Sequence, residues 1–115
     1  HELIVGMRRD PQFGPLLMFG LGGIYVELLK DVAFRVAPFS RAETLAMIGE
    51  THAGKLLAGL RGQAPADIDA VAEVIERVAC LALDHPEVQE IDVNPLLAYP
   101  ASQGALAVDV RMVLG

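Results

Sequence analysis

The sequence predicts an α+β fold in which an antiparallel sheet carries its helices on one face. Three observations lead there. The chain opens with two apolar, strand-length runs parted by a Pro- and Gly-containing turn, passes through a long amphipathic helical stretch, and returns near its end to a strand pattern. At 115 residues the whole span 1–115 fits a single domain, without internal repeat, low-complexity tract or linker. Apolar residues at 53% and charged residues at 21% exclude a disordered chain.

Taken in order, residues 2–9 and 14–20 are the first two strands, and Asp10-Pro11-Gln12-Phe13-Gly14 supplies the turn between them. Gly20-Leu21-Gly22-Gly23 interrupts the next run, after which residues 24–29 and 32–38 resume a β-rich pattern, giving three or four antiparallel strands in the first third. Ser40 followed by Glu43 has the spacing of a capping box, so a helix is expected over 41–50. Gly54, Gly59 and Gly62 punctuate the following segment, which reads as a short helical turn over 55–58 and a loop. Ile68, Val71, Ala72, Ile75, Val78, Ala79 and Ala82 recur at helical spacing, with Asp67 early and Pro86 after the end, which predicts a helix over 66–84 lying on the sheet. Strands are expected again at 88–94 and 105–113, separated by a loop containing Pro95, Pro100 and Gly104.

Several function classes are disfavoured. A net charge of −6 does not suit a protein built to hold nucleic acid or an anionic membrane, both of which reward a basic surface. No apolar run reaches the roughly 18–20 residues that span a bilayer, and no basic segment leads into an apolar signal core. Cys80 is the single cysteine, which excludes an intrachain disulfide and fits a cytoplasmic setting; on the long helix it reads as a small core residue. The start at His1-Glu2 suggests a fragment of a larger chain.

Chemistry concentrates in the last third. Along a strand alternate residues share a face, so Glu90, Asp92 and Asn94 lie opposite Ile91 and Val93, and Asp109 and Arg111 lie opposite Leu106, Val108, Val110 and Met112. If the two strands pair with both apolar faces on the helices, Asp92, Asn94, Asp109 and Arg111 face the same way. Such an oxygen-rich set suits a magnesium–nucleotide complex, with Arg111 placed for phosphate oxygens. The same alternation also describes the solvated face of a half-exposed hairpin, and spacing alone leaves both readings open.

The blocks ELIVGMRRDPQFGPLLMFGLGGIYVELLKDVAFRVAP, GLRG, PADIDA, EIDVNPLL and AVDVRMVL, in that order, resemble the carboxy-terminal ATP-grasp portion of the ADP-forming acyl-CoA synthetases, as in acetyl-CoA synthetase β subunits and the related succinyl-CoA synthetases. The resemblance covers essentially the whole chain and implies the second half of an ATP-grasp domain. It implies Asn94 and Asp109 as magnesium ligands, Asp92 in the place of the family's preceding carboxylate on the nucleotide, and Arg111 as a contact for the transferred phosphate. The FGLGG segment resembles the family's glycine loop, so Gly22 and Gly23 are candidate ATP/ADP contacts through backbone N–H groups, with a tight turn as the alternative. Glu27, Lys30, Asp31 and Arg35 are weaker candidates to face the nucleotide or an incoming phosphohistidine, and Glu2 sits where the two halves should meet. His52 and His85 are expected in surface or capping roles.

The family interconverts an acyl-CoA, phosphate and ADP with the free acid, CoA and ATP. The resemblance therefore implies partners: the first ATP-grasp half and the CoA-binding and phosphohistidine domains, with the isolated piece inactive. Two alternatives remain at this level. One is a regulatory region of a protein acetyltransferase; the other is a non-catalytic fragment that self-associates.

Overall fold

The computed structural model describes residues 1–22, 31–59 and 62–115. The strand expected at 24–29, together with Gly23, Glu27 and Lys30, lies outside the described residues. The elements follow as β1 (Glu2–Asp10), β2 (Gly14–Leu21), β3 (Val32–Val36), α1 (Arg41–Gly49), α2 (His52–Leu57), α3 (Ile68–Asp84), β4 (Val88–Ala98), β5 (Ala105–Ala107) and β6 (Val110–Leu114). The expected α+β architecture stands: an antiparallel sheet ordered β3-β2-β1-β4, with β5 and β6 both along the outer side of β4.

Local chemistry explains the first hairpin. The Asp10 carboxylate accepts bonds from the Gln12 and Phe13 amides at 2.8 and 2.9 Å, and Gly14 takes φ +87°, a conformation that costs a side chain dearly. From that turn the register runs evenly from Asp10↔Gly14 to Leu3↔Leu21.

One face of the sheet meets the helices. Leu3, Val5, Met7, Leu17, Phe19, Ile91, Val93 and Leu96 are buried in one cluster with Met47, Ile48, Leu57, Val71, Ile75 and Ala82. Each helix begins on a built cap. Ser40 Oγ accepts from the Glu43 amide at 3.2 Å, and Thr51 Oγ1 from the Gly54 amide at 2.9 Å. Asp67 caps α3 through Ala70 N at 3.0 Å, while its second oxygen takes Gly104 N at 2.8 Å and so ties the helix start to the loop ahead of β5. At the other end of α3, Arg9 donates to the carbonyls of Ala82, His85 and Val88 at 2.6, 3.2 and 3.0 Å, a cation on the negative end of the helix dipole. This clamp fixes where β4 starts.

Three expectations need correction. The strand predicted to stop at residue 94 continues through Pro95 to Ala98. Two register shifts, opposite Leu3–Val5 and at Val88–Glu90, make this possible: they let Val88 and Ile91, and again Val93 and Leu96, bury on the same side although each pair is three residues apart. Leu106, Val108, Val110 and Met112 are not packed under the helices; Val110 and Met112 remain 50% and 45% exposed. Leu106 lies on β5 and Val110 and Met112 on β6, the two strands along the outer side of β4, while the main contacts of α3 with the sheet are to β1, β2 and β4. Cys80, finally, is exposed, because the buried stripe of α3 runs through Val78, Ala79 and Ala82 and leaves residue 80 on the far side of the helix.

Asp67→Ala removes a helix cap and the bond to Gly104 at once. We expect a loss of about 1–2 kcal/mol, seen as a lower urea midpoint with unchanged slope.

Candidate functional site

The face of the sheet away from the helices is open. Strand alternation and pairing set what it presents, in rows running across the strands. One row carries Val36, Leu16, Arg8, Glu90 and Val113. The next carries Phe34, Met18, Gly6, Asp92 and Arg111. A cleft of about 460 Å³ lies over the middle of these rows, lined by Leu16, Met18 and Phe34 on one side and by Arg8, Glu90 and Asp92 on the other.

The polar side of the cleft leads to the residues singled out from sequence. Asp92 stands directly opposite Arg111 across the β4–β6 pair. One step on, the Asn94 amide donates to the Asp109 carbonyl at 3.0 Å and the Val108 amide to the Pro95 carbonyl at 3.0 Å, so the ladder continues through the gap between β5 and β6 and sets Asn94 beside Asp109. The Asn94–Pro95 peptide is cis. The structure therefore brings together Asp92, Asn94, Asp109 and Arg111 on one face, half-buried on β4 and exposed on the outer strand. Opposed side chains in such a pair have their Cβ atoms about 5 Å apart, close enough to share one ligand.

Charge on this face is only partly paired among the described residues. Five of the six described arginines hold a carboxylate or a carbonyl: Arg8 with Glu90 at 3.4 Å, Arg9 on three carbonyls, Arg35 with Glu43 and Glu50, Arg41 with Glu76, and Arg77 with Glu73. Arg111 is the exception among the described residues. No three His, Cys, Asp or Glu side chains group as a metal site among the described residues. An ion here would draw on Asp92, Asp109 and the Asn94 amide oxygen, an all-oxygen set that fits a hard divalent cation completing its shell with phosphate and water.

Other candidates find structural work. The Asp31 carboxylate accepts from the His52 and Ala53 amides at 2.6 and 2.9 Å, which occupies it at the start of α2. Arg35 lies beside Leu17 on the helix side and pairs with Glu43 at 2.9 Å and with Glu50. Those bonds, Glu50 first and Glu43 second, raise the Arg35 pKa, and the Arg35 guanidinium in turn holds the Glu50 carboxyl below its usual value. His85 meets Glu87 at 3.1 Å at the end of α3. Gly22 donates its amide to the Glu2 carbonyl at 2.9 Å, and a side chain there would strike Leu3 O at 2.9 Å, so close packing on β1 accounts for this glycine.

The apolar wall of the cleft was not read from sequence. Its signal lay in β2, where Leu16 and Met18 alternate with the core residues Leu17 and Phe19: a strand apolar on both faces expects cover on both.

Known proteins resemble this chain over nearly its whole length. The profile of a family described as an ATP-grasp domain matches residues 1–114. An ADP-forming acetate–CoA ligase I of Archaeoglobus fulgidus is 59% identical over 114 residues, which are 99% of this chain and 16% of that protein. The β subunit of an ADP-forming acetate–CoA ligase I of Pyrococcus furiosus is 58% identical over 99% of this chain and 48% of that subunit. The chain thus spans about half of the β-subunit relative and a much smaller part of the longer one. Among solved structures, a dinucleotide-forming acetyl-coenzyme A synthetase of Candidatus Korarchaeum cryptofilum matches with a TM-score of 0.92 and 49% identity, over 99% of this chain and 53% of that one. That structure is described as a complex with coenzyme A and Mg-AMPPCP, its phosphohistidine segment pointing towards the nucleotide-binding site.

The Arg35 pair carries a pH signature. With the folded-state pKa of Glu50 depressed below 4.5, its stabilisation is present above that value and is lost as the pH falls through the lowered one. Glu50→Gln is therefore expected to be less stable than the unaltered protein at neutral pH, and the difference to vanish on acidification, as read from thermal midpoints across the range.

Proposed function

The chain belongs to the ATP-grasp domain family, and from that premise we propose that it is the nucleotide- and magnesium-binding second half of an ADP-forming acyl-CoA synthetase, where a phosphoryl group passes between a phosphohistidine and ADP or ATP. The observation that carries this reading is the pairing of β4 with the outer strand, which sets Asp92 opposite Arg111 and Asn94 beside Asp109 on the uncovered face.

Asn94 and Asp109 would hold the magnesium ion, with Asp92 next to them on the nucleotide side of the cleft. When bound, the ion supplies charge neutralisation for the phosphate oxygens. Arg111 stands at the end of the same row and steadies the phosphoryl group in transfer, the task that phosphoryl chemistry asks of a cation fixed in advance. In the direction of ATP formation the bond from histidine nitrogen to phosphorus breaks as a terminal oxygen of ADP forms its bond to phosphorus, and the electron pair returns to the imidazole. The apolar wall formed by Leu16, Met18 and Phe34 offers a flat surface for the nucleotide's ring system.

Gly22, whose packing on β1 already gives it a structural role, is proposed as a further contact for the nucleotide. The acyl-CoA chemistry belongs to the CoA-binding and phosphohistidine parts of the assembly, which would deliver the phosphorylated histidine to this face.

Two substitutions in the full-length protein test the reading. Asp109→Ala should abolish the magnesium-dependent component of ATP and ADP binding in calorimetry; binding that keeps its magnesium dependence sinks the metal assignment. Arg111→Ala should leave nucleotide affinity within a few-fold and slow phosphoryl transfer by about 100-fold or more, with Arg111→Lys between the two.

A further inference from the structure

Four buried or half-buried glycines in this domain have a visible steric reason to be glycine. A Cβ added at Gly20 would lie 2.4 Å from Asp31 O, at Gly22 2.9 Å from Leu3 O, at Gly54 2.0 Å from Ile48 O, and at Gly59 2.6 Å from Gln63 O. Each collision is with backbone, which cannot move aside. Others, such as Gly14 and Gly104, take positive φ.

Gly6 fits neither group. It sits inside β1, where glycine weakens a strand, and its φ is not among the positive ones. The nearest atom to an added Cβ would be the terminal methyl of Met18 at 3.4 Å, the far end of a flexible side chain, and the nearest backbone atom is Ile91 O at 3.7 Å. Folding therefore has room for a side chain at this position. Gly6 is nonetheless buried, and it lines the cleft midway along the row Phe34, Met18, Gly6, Asp92, Arg111.

We propose that Gly6 forms the floor of the nucleotide site: its missing side chain leaves only the flexible end of Met18 over the backbone between the apolar wall and Asp92, so that the magnesium–nucleotide complex can lie flat across the sheet. This rests on the function proposed above. A side chain at residue 6 would stand up between Met18 and Asp92 and separate the two halves of the ligand's footing. The Met18 thioether, adaptable at its end, is the part that yields when the ligand arrives.

The test uses Gly6→Ala and Gly6→Val in the full-length protein, with Gly20→Ala as the comparison, and reads both thermal midpoint and magnesium-ATP affinity. Gly6→Ala should melt at the same temperature or slightly higher, since it restricts the unfolded chain at a compatible backbone, whereas Gly20→Ala should melt lower. Affinity should fall in order of side-chain size, by about tenfold or more for Gly6→Val. A folded Gly6→Val that binds magnesium-ATP as tightly as the unaltered protein overturns the inference and leaves the proposed function standing. A Gly6→Ala that loses stability and keeps its affinity also overturns it, because the glycine then serves only to seat Met18. If Gly6→Val does not fold, unchanged affinity in Gly6→Ala decides against the inference. An unaltered protein that binds no magnesium-ATP removes the function and the inference together.

Discussion

Everything on the open face hangs on the register of β4. This strand lies between β1 and the outer strand, and its hydrogen bonds decide at once which residues go under the helices and which line up across the cleft. A slip of one residue would bury Asp92 and Asn94 and expose Ile91 and Val93, so the apolar pattern enforces the polar arrangement. The three carbonyl bonds of Arg9 anchor the strand's start to the end of α3, and the Asp67 carboxylate anchors the loop beyond it. The two register shifts add the local freedom that a strand of eleven residues needs to keep Val88, Ile91, Val93 and Leu96 on one side.

Electrostatics reinforce the division between faces. Among the described residues, the arginines other than Arg111 sit on carbonyls or on glutamates, Arg8 with Glu90 on the open face included, and the exposed pairs among them contribute little beyond local order. Arg111 has no carboxylate or carbonyl partner among the described residues of a domain whose net charge is −6. A cation standing beside Asp92 and Asp109 favours a ligand that carries both signs, which a magnesium-bound polyphosphate does and a bare anion does not.

Much of this was legible in the residues because it is local. The Asp10–Gly14 turn, the Ser40 and Asp67 caps, the stripe of α3 and the alternation around Asp92 and Asp109 are all set within a few positions of one another. What the sequence did not disclose depends on distances between elements. Whether Val110 and Met112 are covered depends on how far α3 extends across the sheet, and Asp31 could be placed at α2 only once the chain between them had turned back. Pro95 looked like a strand end because proline lacks a donor; it is tolerated here because its carbonyl, which it retains, is what accepts the bond from Val108.

The order of strands in the sheet bears on how the domain comes into being. β1, from the first residues of the chain, pairs with β4 from residues 88–98, and Arg9 reaches carbonyls 73 to 79 positions away. Contacts of such sequence separation must close a long loop before they return any free energy, which slows their formation relative to the β1–β2 hairpin. On a ribosome the row from Phe34 to Arg111 can assemble only after residue 111 has left the exit tunnel. Until β4 has emerged as well, the hairpin of β1 and β2 stands without the strand that pairs with the other edge of β1.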